Sequence, residues 1–295
     1  MTRHLFEGRF YETYYFANII RNILYDQFSY LRKLDEFYGD SRYLGSVRPF
    51  PRYSALHSFI EFIVEYVVWE EIDDIDINRM QAIQRDYPPS ALEDLKPTVL
   101  PISLAFDYYE IEHTPFEEWP SEHEKTFQAA TADDVSEYYC EIRIEESYEK
   151  LIDRAVSEVF FILFQNRRLL FVFNEMMASQ VAETELDELD PEIAQQFSAP
   201  GVLKRVNIPK WARNAVFFRD RGHCTLCHRD LSGTLNIGSI ENYDHAVPLA
   251  KGGLNDVSNI QLLCQECNLR KRHYQLPSSD YYELWYPLIE TDLSA

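Results

Sequence analysis

The chain has 295 residues, 46% of them hydrophobic and 15% aromatic, with only 9 glycines, which excludes a disordered or fibrous protein and allows a substantial core. Its formal net charge is −21, unevenly placed: residues 1–200 hold 17 Lys+Arg against 39 Asp+Glu, or −22, while residues 201–275 hold 11 against 6, or +5. The asymmetry predicts an acidic domain over 1–200, a second domain over 201–275 and a tail over 276–295.

In chain order, the start Met1-Thr2-Arg3-His4-Leu5-Phe6-Glu7 has no apolar signal core. From Ser54 to about Gln84, apolar residues at Leu56, Phe59, Ile60, Ile63, Val67 and Ile72 recur near the 3.6-residue period and predict a helix, bounded by Pro49 and Pro51 before it and Pro88-Pro89 after it. Residues 97–120 carry Pro97, Pro101, Pro115 and Pro120 and are expected to loop around a short extended piece, Val99 to Phe106. A second helical pattern runs from about Asp133 to Phe164, with Ile152, Val156, Val159, Phe160 and Leu163 as its stripe. Cys140, beside Val135, Tyr138, Tyr139 and Ile142, is expected to be a buried structural thiol. His57, His113 and His123 lack partners at ligand spacing and are expected to be structural. The most apolar run, Val159 to Phe173, is broken by Gln165-Asn166-Arg167-Arg168 and is too short to span a bilayer. These features predict a soluble, cytoplasmic protein with a mainly helical N-terminal domain. Residues 183–200 are acidic and are expected to form a linker or a capped helix end. A further helix is expected from Pro209 through Arg221, stopped at Gly222.

Four of the five cysteines form two CxxC pairs, Cys224/Cys227 and Cys264/Cys267, with 36 residues between them. In a chain without an export signal this pattern points to zinc rather than disulfides. Each CxxC turn offers two thiolates, and two turns complete a closed tetrahedral site, structural rather than catalytic. Such a site staples a segment too small to build its own core.

Between the pairs stand Asn242-Tyr243-Asp244-His245-Ala246-Val247-Pro248-Leu249, the turn Lys251-Gly252-Gly253, Asn255, and Ser258-Asn259-Ile260-Gln261-Leu262-Leu263. Asn268-Leu269-Arg270-Lys271-Arg272 follow the second pair and open a basic helix. The order and spacing of these pieces over about residues 209–273 resemble the HNH endonuclease family, whose fold is a β-hairpin followed by a helix around a metal. The resemblance implies a small α+β C-terminal domain of ββα-metal or treble-clef type that cleaves phosphodiester bonds. By it, His245 takes the first-histidine role and Asn259 the central asparagine role. Asn268 stands where many members carry the last histidine, as in HNN variants.

For the implied chemistry, His245 is the candidate general base, since imidazole titrates near neutral pH. Asp244 and Asn268 are candidate ligands of one Mg²⁺ or Mn²⁺, hard ions suited to oxygen donors. Adjacent strand residues point to opposite faces, so Asp244 and His245 can approach one phosphate only if the strand ends or bends there. Asn259 is expected to tether the intervening loop and keep the imidazole aimed. Arg270, Lys271, Arg272 and His273 are candidate phosphate contacts. The expected partner is nucleic acid, DNA before RNA, with 5′-phosphate and 3′-hydroxyl products implied by the resemblance. Residues 1–200 would repel DNA and are expected to bind a basic partner, restrain the nuclease or self-associate, as in a defence or restriction-type effector. Two alternatives stay open: a catalytically silent zinc knuckle that binds nucleic acid or protein, and a nuclease subunit active only in a complex.

Overall fold

The computed structural model of the protein describes residues 6–39, 42–87, 99–187, 189–233 and 241–271. The N-terminal region is helical: α1 (Phe6–Tyr25), α2 (Leu31–Gly39), α3 (Ala55–Asp73), α4 (Ile77–Asp86), α5 (Pro101–Tyr108), α6 (Ala132–Ile142), α7 (Glu146–Phe164) and α8 (Arg167–Ala182). The C-terminal region holds two small antiparallel sheets, β1 (Phe197–Ala199) with β2 (Val202–Leu203) and β3 (Glu241–His245) with β4 (Ile260–Cys264), together with α9 (Lys210–Arg219) and α10 (Gln265–Lys271). Among the described residues no helix is long and apolar enough to cross a membrane.

The chain divides into two compact units, one of residues 1–16 and 60–159, the other of 17–59 and 160–295. These cuts fall elsewhere than residue 200, and 17–59 and 160–200 share a unit with the cysteine-rich region. In the first unit the core gathers Phe106, Phe116, Trp119, Tyr138 and Tyr139 with Val156 and Val159. The helix expected over 54–84 is two, because Asp76 caps a new start: its side chain accepts the Arg79 N–H at 3.0 Å. The helix expected over 133–164 likewise breaks between Ile142 and Glu146, and its first half opens on a capping box between Thr131 and Asp134. The extended piece expected at Val99–Phe106 is instead helical. Pro101 sits in the first turn of α5, where a missing N–H costs nothing, and Ile102 and Phe106 share its buried face. Cys140 is exposed rather than buried, since it lies one position off the stripe of Val135, Tyr138, Tyr139 and Ile142.

In the second unit, Phe59 bridges Phe37 (ring centroids 5.1 Å apart) and Phe173 (5.6 Å). Buried Leu170, Phe173, Met177 and Val181 give α8 an apolar face. His57 stacks on Phe160 with centroids 3.6 Å apart, and its Nδ1 accepts the Ser54 N–H at 3.1 Å. Residues 183–200 contain a short helical turn, Pro191–Ala194, and strand β1. The helix expected over Pro209–Arg221 begins after Pro209 and ends at Arg219. Arg221 (φ 54°) and Gly222 (φ 65°) then reverse the chain into the first CxxC.

Candidate active site and metal centre

The two CxxC pairs meet. The sulfurs of Cys224, Cys227, Cys264 and Cys267 all lie within 4.8 Å of one another. A Zn–S bond of about 2.3 Å places tetrahedral sulfurs about 3.8 Å apart, and Cys227 Sγ lies 3.7 Å from Cys264 Sγ. Four sulfurs at this spacing fit Zn²⁺. The turns are built to present them: the Cys224 N–H donates to Arg229 O (2.9 Å), the His228 N–H to Cys224 O (2.9 Å) and the Cys267 N–H to Cys264 Sγ (3.4 Å). Arg270, expected on phosphate, directs Nη2 to Cys267 Sγ at 3.6 Å. Beneath the cluster, buried Arg219 grips Asp220 through Nε (2.9 Å) and donates to Ile260 O (2.6 Å), while Asp220 accepts the Leu262 N–H (3.0 Å). This pair ties the end of α9 to β4.

Strand β3 pairs with β4 in the register His245↔Ile260 and Asp244↔Gln261 and ends at His245. Ending there, the strand lets both Asp244 and His245 line one cleft of about 810 Å³, together with Asn268, Lys271, Arg205 and Pro248. His245 is 3% exposed. Its Nε2 lies 3.1 Å from Asn255 Oδ1, and the Asn255 amide is turned that way because its own Nδ2 donates to Lys204 O at 2.9 Å. A carbonyl oxygen only accepts, so Nε2 carries the hydrogen and Nδ1 keeps the lone pair of the neutral ring. Burial pushes the His245 pKa down to about 4, against a smaller upward pull from the Asn255 bond and the Asp244 charge, and the ring is neutral at pH 7.

Asn259 accepts the Val247 N–H on Oδ1 (2.8 Å) and donates from Nδ2 to Val247 O (3.0 Å) and Leu254 O (2.9 Å). It thus closes the loop between the strands, whereas the imidazole is held by Asn255. Asn268, half-buried, directs Nδ2 to Asn242 Oδ1 at 3.5 Å. Lys271 differs from the expectation of a surface phosphate contact. It is 1% exposed, and its Nζ donates to Asp244 Oδ2 and to His245 O, both at 2.7 Å. Placed on α10 against the end of β3, it folds inward to neutralise the carboxylate. Arg205 approaches the other carboxylate oxygen, with Nη2 3.8 Å from Oδ1. The expected contacts Arg272 and His273 lie outside the described residues.

A second layer fixes this loop. Asp256, fully buried, accepts the Ala55 N–H (2.9 Å), the Ser258 N–H (2.8 Å) and the Ser258 hydroxyl (2.7 Å), and burial raises its pKa. The Phe50 N–H donates to Asn255 O at 2.7 Å, and Asn174 Nδ2 to Ser258 Oγ at 3.2 Å. Gly252 (φ 81°) lies so close to α8 that a Cβ there would stand 2.3 Å from Ala178 O. Asn255, Asp256 and Arg205 were not singled out as site residues by sequence reasoning. The run Gly253-Leu254-Asn255-Asp256 is the local signal for the first two; nothing local marks Arg205.

Comparisons with curated proteins and with solved structures gave no match. The family model described as HNH endonuclease matches residues 224–273, the stretch that holds all four cysteines, Asp244, His245, Asn259 and Asn268. The C-terminal part of this chain therefore carries an HNH endonuclease domain.

Proposed function

We propose that the protein is a metal-dependent endonuclease that hydrolyses phosphodiester bonds in DNA, with His245 as general base. The observation that carries the reading is the end of β3, where His245, Asp244 and Asn268 line one cleft and the Asn255 bond leaves Nδ1 as the basic nitrogen. His245 takes the proton of a water whose oxygen forms the new bond to phosphorus, and the bond to the 3′ oxygen breaks. That oxygen collects a proton from solvent, leaving 5′-phosphate and 3′-hydroxyl ends. Asp244 and Asn268 offer the hard oxygen donors for one Mg²⁺ or Mn²⁺, which when bound relieves negative charge at the phosphate. Asn259 closes the loop that carries Asn255, and Asn255 keeps the ring from swinging. The four cysteines hold zinc as a staple, away from the chemistry. The −22 charge of residues 1–200 suits them to a basic partner, to self-association or to restraint of the nuclease rather than to gripping DNA. By analogy with nucleases joined to such domains, a defence or restriction-type effector is the setting we infer.

The test is plasmid nicking with Mg²⁺ or Mn²⁺, wild type beside His245→Ala. Loss of a general base lowers the rate by about 10²–10⁴-fold; equal cutting by the variant, or cutting that survives chelation of divalent ions, refutes the assignment. A second reading, a silent zinc module that only binds, draws on the cations at both Asp244 oxygens, Lys271 at 2.7 Å and Arg205 at 3.8 Å. DNA binding without cutting under every divalent metal would favour it.

A further inference from the structure

The 810 Å³ cleft has a neighbour. A second, of about 520 Å³, is lined by Val206, Asn207, Ile208, Arg213, Glu241 and Asn242, and it shares Arg205, Tyr243 and His245 with the first. The two clefts therefore meet at the candidate base. A small substrate needs one cleft, whereas a polymer cut internally must leave on both sides of the reacting phosphate. The two arms differ in chemistry. The first carries Leu203, Leu249 and Leu269 beside the candidate metal ligands. The second carries two exposed arginines, Arg205 on the segment after β2 and Arg213 on α9. The Arg213 N–H donates to Pro209 O at 3.1 Å, while its guanidinium makes no hydrogen bond or ion pair among the described residues. Arg205, with 76% of its side chain exposed, has among the described residues the long 3.8 Å approach to Asp244 as its one ion pair. The arm's acidic residue, Glu241, accepts a hydrogen bond from Tyr243 Oη at 2.9 Å.

We propose that Arg205 and Arg213 form a phosphate track that grips the DNA backbone next to the scissile phosphate and leads the strand past His245. This rests on the nuclease reading above. Both residues precede the stretch matched by the family model. Were Asp244 to hold a metal ion, the Arg205 guanidinium now 3.8 Å from its Oδ1 would be available to the phosphate.

The test is equilibrium binding of a labelled DNA duplex by His245→Ala protein without added divalent metal, over a salt series. Arg205→Gln and Arg213→Gln are introduced singly and together, with Lys210→Gln as the control: an exposed cation on α9 that lines neither cleft. Each arginine change is expected to weaken binding about tenfold and to flatten the log Kd against log salt slope by about 0.9. Glu241→Gln, which removes the arm's negative charge, is expected to tighten binding. Thermal melts of the surface variants should match the parent. Strong binding that responds to Arg205 and Arg213 no more than to Lys210 overturns the track alone. Absence of DNA binding by the parent overturns the track together with the nuclease reading.

Discussion

Replacing Gly252 by alanine probes the packing that holds the loop after β3 against α8. Gly252 ends the turn Leu249–Lys251 with φ 81°, and a Cβ would stand 2.3 Å from Ala178 O and 2.9 Å from Ala182 N. Both are backbone atoms of a helix, so no rotamer change relieves the contact. Gly233 provides the control, with φ 76° and nothing within 4 Å of its Cβ position among the described residues. Both substitutions carry the left-handed penalty of about 1–2 kcal/mol for a residue with a Cβ. Both recover about 0.4–1 kcal/mol from a less flexible unfolded chain. Only Gly252→Ala adds backbone overpacking, for which about 1–3 kcal/mol is typical. The expected losses are thus about 1 kcal/mol for Gly233→Ala and about 2–4 kcal/mol for Gly252→Ala. Denaturant titrations of the two proteins side by side read the difference. Equal losses would refute the claim that α8 braces the loop.

Cys224→Ser and Cys264→Ser should each abolish stoichiometric zinc and lower the melting temperature. Elemental analysis with thermal melts checks this, and unchanged stability would remove the staple. Lys271→Met should destabilise by about 3 kcal/mol, because it strips the ammonium from the largely buried Asp244 carboxylate. Adding Asp244→Asn should restore part of that loss, and a double-mutant cycle showing simple additivity would dismiss the pairing. His57 gives a pH dependence: burial lowers its pKa to about 4 from 6.5, and its Nδ1 accepts the Ser54 N–H, which requires the neutral ring. The unfolded chain binds this proton more readily, so the stabilisation is full above about pH 6.5 and is lost as pH falls from there toward 4. Denaturation midpoints at pH 7 and pH 5 should therefore differ more in wild type than in His57→Gln.

The HNH hairpin was legible because its residues signal locally: CxxC turns, a strand ending in Asp-His, a Gly-Gly turn and a second apolar strand. The partner of the imidazole was not, since Asn255 and Asn259 are the same residue type four apart and only the loop's path decides which meets the ring. Lys271 reads as a solvated charge until Asp244 is placed beside it. In the helical region periodicity located the stripes, but Asp76 and the Thr131–Asp134 box reset the helices inside patterns that looked continuous. The run 99–106 misled because its proline opens a helix rather than breaking one.

The Asp256–Ala55 and Asn255–Phe50 bonds join positions about 200 residues apart in sequence. Synthesis runs from the N-terminus, so Phe50 and Ala55 are made long before their acceptors. The loop that aims His245 is completed only when nearly the whole described chain has been translated. Closing so long a loop adds a modest entropic cost but slows assembly. A ribosome-bound or prematurely terminated chain that stops short of Asn255 would thus lack the brace on the loop that holds the His245 ring.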